Sequence, residues 1–257
     1  MVFYFTGTGN SMYVAKELEN EAVSIPQAIR KNDLHFVDER IGIVAPVYGH
    51  ELPGMVNDFI RRAEFETEYL YCIATYGSGH GGAGAWLEDM FRANGKKLNY
   101  ANVILMPDNF LPSFDMEQER VRENRLGIDE MIAGIKEDIL FGRQYILPAN
   151  LAERFTRKQA VSLKHKVVTE EFLQNLYTVT ESCVGCGVCE KICPAGCFHI
   201  ENGKASRNPE GCQLCMACIH ACPQYAIRLN LQQPNPGAHF RNSHVSLKEI
   251  MEANNQY

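Results

Sequence analysis

The chain has 257 residues, 46% hydrophobic and 22% charged, the balance of a folded chain of one or two domains rather than a disordered one. A net charge of -6 offers no basic surface for nucleic acid, and no apolar run reaches the roughly 18 residues of a membrane span. Met1 is followed at once by strand-like Val2-Phe3-Tyr4-Phe5, not by a basic start and long apolar stretch, so no secretory leader is expected. A cytoplasmic location follows as the expectation, where thiols stay reduced.

Residues 1–147 alternate strand-like and helix-like segments. Val2–Thr6 reads as a strand and Asn10–Glu19 as a helix with Val14 and Leu18 on one face. Val23–Ile25 reads as a short second strand, and Arg40–Ala45 as a β-branched third, stopped by Pro46. Pro53–Ala63 has proline at a helix start and Met55, Val56, Phe59 and Ile60 at helical spacing. Tyr69–Thr75 is the fourth strand, Ala83–Ala93 a helix, Asn102–Met106 the fifth strand, and Met116–Phe141 one long helix or two. Five strands alternating with helices predict an α/β fold, a doubly wound five-stranded parallel sheet.

Residues 148–180 carry Arg154, Arg157, Lys158, Lys164, His165 and Lys166 and read as a helical connector with a solvated charged face. The cysteine module occupies 181–230, and a tail, 231–257, holds Ser246-Leu247-Lys248-Glu249, a capping box that starts a short helix.

Nine of the ten cysteines lie between Cys183 and Cys222. Eight form two copies of one run, 29 residues apart: Cys183-x2-Cys186-x2-Cys189-x3-Cys193-Pro194 and Cys212-x2-Cys215-x2-Cys218-x3-Cys222-Pro223. That run is the bacterial two-cluster ferredoxin signature, whose fourth cysteine serves the other cluster. Cys183, Cys186, Cys189 and Cys222 are therefore expected to hold one [4Fe–4S] cluster, and Cys212, Cys215, Cys218 and Cys193 the other. Zinc also takes four cysteines but favours two separated CxxC pairs, so it explains this run poorly. Gly185, Gly187, Ala217 and Ala221 let backbone N–H groups approach the sulfurs. Ile192, Ile219 and Ile227 supply a dry shell; Cys72 and Cys197 read as packing residues.

Directly after the first strand comes Thr6-Gly7-Thr8-Gly9-Asn10-Ser11. A glycine turn before a helix N-terminus presents backbone N–H groups to an anion, and three hydroxyls add donors, so this loop reads as a phosphate cradle. It is neither GxGxxG nor a P-loop. Two further loops follow later strands: Pro46-Val47-Tyr48-Gly49-His50, and Thr75-Tyr76-Gly77-Ser78-Gly79-His80. In an open parallel sheet ligands sit at these strand ends. Tyr48 and Tyr76 suit a flat ring, and Asn109-Phe110, after the fifth strand, would close one edge. His50 and His80 read as hydrogen-bonded loop residues, with proton donation to a reduced ring as the alternative.

The Thr-x-Thr-Gly-x-Ser loop at Thr6–Ser11, with the two later loops, resembles that of flavodoxins. Joined to the double cysteine run, the chain resembles the EFR1-type ferredoxins, in which a flavodoxin-like domain precedes a small α+β two-cluster ferredoxin domain. The resemblance implies FMN, its phosphate on Thr6, Gly7, Thr8, Gly9, Asn10 and Ser11. Its ring would lie against Pro46, Val47, Tyr48 and Gly49, and against Thr75, Tyr76, Gly77 and Gly79. FMN is preferred over FAD because one phosphate cradle is evident. The function this implies is electron transfer between two [4Fe–4S] clusters, FMN and partner redox proteins; a homodimer is compatible with it. The alternatives are a flavin-dependent reductase of a small substrate, or a ferredoxin whose flavodoxin-like domain is an empty docking module.

Overall fold

The computed structural model describes residues 1–257. Strand β1 (Val2–Tyr4) is buried and leads through the glycine loop into helix α1 (Asn10–Leu18). Strand β2 (Val23–Ser24) stops one residue short of expectation, because Ile25 already opens helix α2 (Ile25–Lys31). Pro26 lies in its first turn, where a fixed φ and a missing amide suit a helix start. There follow β3 (His35–Val37), β4 (Arg40–Pro46), α3 (Gly54–Arg62), β5 (Glu64–Glu66), β6 (Tyr69–Tyr76), α4 (Ala83–Ala93) and β7 (Tyr100–Leu105). Residues 116–141 make two helices, α5 (Met116–Glu123) and α6 (Ile128–Leu140), parted where Gly127 takes a φ of 60°. A last short strand, β8 (Tyr145–Ile146), ends this half.

The main sheet is parallel throughout, in the order β2-β1-β4-β6-β7-β8. The five expected strands stand in the 2-1-3-4-5 order of flavodoxin-like doubly wound sheets, and β8 adds a sixth at the edge. β3 and β5 form a separate parallel pair that the sequence did not announce. β4 and β6 are buried almost from end to end, as strands covered on both faces must be. Strands are added outward to β2 on one side of β1 and to β4 on the other, so the loops after β1 and β4 flank the switch point.

Helix α7 (Leu151–Val167), opened by an Asn150–Glu153 capping box, and helix α8 (Glu170–Asn175) lead to the cysteine module. There β9 (Tyr177–Val179), α9 (Val188–Ile192) and β10 (Phe198–Glu201) are repeated as β11 (Lys204–Arg207), α10 (Ala217–Ala221) and β12 (Ile227–Leu229). Pairing crosses the copies, β9 with β12 and β10 with β11. β9 falls in the stretch expected as connector, but its pairing joins it to the module. Asn202 and Gly203, at φ 49° and 73°, turn β10 into β11, the Asn-Gly signature of a tight hairpin. Helix α11 (Leu247–Asn254) starts from the predicted Ser246–Glu249 capping box.

The halves share their cores. Ile192, Cys215 and Ala217 from the module, with Val245, Ile250 and Ala253 from the tail, extend the apolar core of the sheet. Leu111 and Met116 join the second core, around Phe198 and Phe240. Cys72 and Cys197 are buried, as expected. No helix is long and apolar enough to cross a membrane.

Candidate cofactor sites at the domain junction

The crossed repeat gathers the thiols in two sets. A small cavity is lined by Cys183, Cys186, Cys189 and Cys222, three from the first run and the fourth from the second. Burial pushes the Cys189 thiol up to about 12, and the nearby Cys186, Cys183 and Cys222 push the same way. In the other set, burial raises Cys218 far above an ordinary thiol, helped by Cys215, Cys193 and Cys212. Thiolates this close repel one another, and a cationic core between them would offset that repulsion. The first set surrounds a space, and four cysteine donors in each set suit soft, sulfide-bridged iron.

Backbone amides reach two of these sulfurs in matching positions. Cys197 N–H donates to Cys193 Sγ at 3.2 Å, and Ala226 N–H to Cys222 Sγ at 3.2 Å. Ala205 N–H approaches Cys183 Sγ at 3.4 Å. Such bonds stabilise the charged, reduced form of a cluster and raise its potential. Cys197 is a packing residue with this second role: its buried thiol points to the Glu210 carbonyl, 3.5 Å away.

A cavity of about 710 Å³ opens at the switch point, within the range of cofactor pockets. Every residue expected to touch the ring or phosphate lines it, except Gly9. Gly9 caps α1 at φ 106°, where its open side lies against Asn242 and Val245 of the tail. Thr6 Oγ1 accepts the Gly9 N–H at 3.0 Å, and Thr8 Oγ1 accepts from Asn109 Nδ2 at 3.1 Å. Each hydroxyl so keeps its own proton to donate. The first-turn amides of α1 lack intrahelical acceptors and add further donors. Ser11 and Thr75 share a hydrogen bond of 2.8 Å. Asn10 turns its side chain aside, to the Pro107 carbonyl and to Asn242, and so ties loops together.

Close approach dictates glycine at two places here. A Cβ on Gly7 would stand 2.6 Å from the Cys215 carbonyl oxygen and 3.0 Å from Tyr48 Oη. A Cβ on Gly77 would stand 2.2 Å from Asp108 Oδ2. Tyr76 meets His80 edge-on at 4.9 Å. Burial pushes the Tyr48 phenol well above its ordinary value, so the ring stays neutral.

The two loop histidines have different tasks. His80 caps α4: its Nδ1 accepts the N–H groups of Gly82 and Ala83 at 3.1 and 3.2 Å, and its carbonyl accepts Trp86 Nε1 at 3.1 Å. His50, at φ 65°, has a buried Nδ1 with no partner. Burial first, then the Arg157 charge, lowers its pKa.

Several site residues had no signal in the sequence. The connector helix α7 is a strap along the cavity, where Ala160, Leu163, Lys164 and Val167 form one wall. Three of its basic residues are engaged rather than free: Lys164 Nζ donates to the Tyr48 carbonyl at 2.8 Å, Arg157 to the His50 carbonyl at 3.1 Å, and His165 meets Glu51 at 2.8 Å. Arg157 also lies over the Trp86 ring, 4.8 Å from its centre. From α10, His220 meets the Asn109 carbonyl at 2.8 Å through Nε2, while its Nδ1 accepts the Phe240 N–H at 3.1 Å. Burial holds it neutral, at about 3, so the proton sits on Nε2.

Comparison with known proteins agrees with the cysteine module. Residues 175–232 match the family model of the 4Fe-4S dicluster domain. An uncharacterized ferredoxin of Methanocaldococcus jannaschii is 38% identical over 58 residues, 21% of this chain and 75% of that protein. The ion-translocating oxidoreductase complex of Methanosarcina acetivorans has a component that is 47% identical over 47 residues, 18% of either chain. The chain spans only 18%, 37% and 42% of the length of three curated relatives. The solution structure of two-electron reduced Megasphaera elsdenii flavodoxin aligns with a TM-score of 0.30 at 19% identity, over 42% of this chain and 88% of that one.

Proposed function

Residues 175–232 place the chain in the 4Fe-4S dicluster domain family, and from that premise we propose an electron carrier of the EFR1 type, holding two [4Fe–4S] clusters and FMN. Cys183, Cys186, Cys189 and Cys222 hold one cluster; Cys193, Cys212, Cys215 and Cys218 hold the other. The phosphate of FMN lies on Thr6–Ser11 and its ring between the loops of Tyr48 and Tyr76. Residues 1–147 form the flavin domain, 148–176 the connector, 177–230 the cluster domain with β9 included, and 231–257 the tail. The observation that carries this reading is the junction itself: Cys215 lies against Gly7, so one thiol set adjoins the cavity.

Clusters carry single electrons and a flavin exchanges one or two, so the pair can join one-electron to two-electron partners. The chain's own residues supply the rest. The eight thiols fix the clusters, the Cys197 and Ala226 amides tune them through Cys193 and Cys222 Sγ, and α7 shields the cavity from water. The partners are redox proteins. Anaerobic titration with FMN tests the reading: tight one-to-one binding is expected, and no binding would leave the flavodoxin-like half as a docking module. One observation favours a second reading, reduction of a small apolar substrate. The cavity continues past the loops to Leu163, Val167, Phe172, Leu176 and Leu231. Turnover with an organic acceptor distinguishes it.

A further inference from the structure

The two cysteine loops match at an offset of 29 residues and differ where the backbone turns left-handed. In the first loop Cys186 is flanked by Gly185 and Gly187, at φ 65° and 76°. In the second Cys215 is flanked by Leu214 and Met216, at φ 55° and 57°. Glycine adopts this conformation freely, and leucine and methionine do not. The first copy shows that glycine satisfies the loop. The second keeps bulky side chains there at the expense of strain, and such strain clusters at functional positions.

The surroundings of the two loops differ in the same sense. A Cβ on Gly185 would strike the Gly203 carbonyl oxygen at 2.3 Å, and Cys186 is exposed. In the second loop Leu214 and Met216 both line the 710 Å³ cavity, while Cys215 between them rests on Gly7. Met216 is almost wholly buried and Leu214 half-buried.

We propose that Leu214 and Met216 are flavin-binding residues, an apolar wall that holds the isoalloxazine against the loop carrying Cys215. The proposal rests on the FMN reading above and deepens it. It makes Cys193, Cys212, Cys215 and Cys218 the flavin-side thiol set. The set with exposed Cys186 faces outward, toward a partner.

The test compares Leu214→Gly and Met216→Gly with the wild type in the cluster-loaded full chain. Iron and sulfide are counted, and FMN is titrated by the quenching of its fluorescence. Both glycine variants keep the backbone that the first copy adopts, so each is expected to retain its iron. Each should bind FMN about tenfold more weakly, the scale set by removing one apolar side chain from the ring's wall. Unchanged FMN affinity with unchanged iron overturns the proposal. If Met216→Gly sheds iron, Leu214→Gly decides, its side chain being the less buried. Loss of iron in both overturns the proposal, because the side chains then serve the cluster loop. A wild type that binds no FMN overturns the flavin reading itself, and this proposal with it.

Discussion

Cys186 and Cys215 hold the same place in their runs and opposite places in the molecule. The first is exposed; the second is buried against Gly7. Replacing either by serine should remove about half the iron. Only Cys215→Ser should also weaken FMN binding. Iron analysis with FMN titration checks both; a variant with full iron content would contradict the ligand sets. His50 gives a prediction in pH. Its folded pKa lies below the ordinary 6.5, pushed down by burial, then by Arg157, His80 and Lys164. The unfolded chain therefore binds more protons as pH falls, and stability present above 6.5 declines below it. Asparagine tolerates the left-handed backbone, so His50→Asn isolates the titration. The wild-type melting temperature should fall relative to this variant between about pH 7 and pH 5.5. Parallel curves would contradict it.

Packing between elements is tightest where β4 meets β6. Gly42 pairs with Tyr71, and a Cβ at Gly42 would stand 2.1 Å from the tyrosine ring. Gly42→Ala should cost about 1–3 kcal/mol by overpacking, read as a lower melting temperature. An unchanged melt would mean the ring moves aside freely. These central strands were legible because burial on both faces writes a continuous apolar run. Helix α6 was legible through Ile128, Ile132, Ile135 and Ile139 on one face. The short strands β3, β5, β8 and β9 were not, since each is a strand by virtue of a partner distant in sequence. The β10–β11 hairpin was not anticipated either, although its Asn202-Gly203 turn carries a local signal. At the site, spacing alone grouped the cysteines, and the glycine loops announced the cavity. The wall formed by α7 was not legible. That helix buries no residue and docks through Arg157, Lys164 and His165, which in sequence look like any solvated charges.

At the scale of the whole molecule, the tail joins the two halves. Buried Asn254 donates to the Thr6 carbonyl at 3.0 Å and the Ile192 carbonyl at 3.1 Å, one in each half. Asn242 N–H donates to the Thr8 carbonyl at 2.9 Å, and Lys16 pairs with Glu249. Asn254→Ala leaves two buried carbonyls short of a donor and should cost about 1–3 kcal/mol. Because the halves share apolar cores, wild-type melting should be one cooperative transition. Two separate transitions would contradict a shared core.

The central claim is that one chain holds two [4Fe–4S] clusters beside one FMN. Anaerobic reconstitution with iron, sulfide and FMN, followed by chemical analysis of the purified protein, tests it most directly. The expected result is about eight irons and about eight sulfides per chain, with one FMN released on heating. Zinc in place of iron and sulfide, or full iron with no flavin retained, would contradict it.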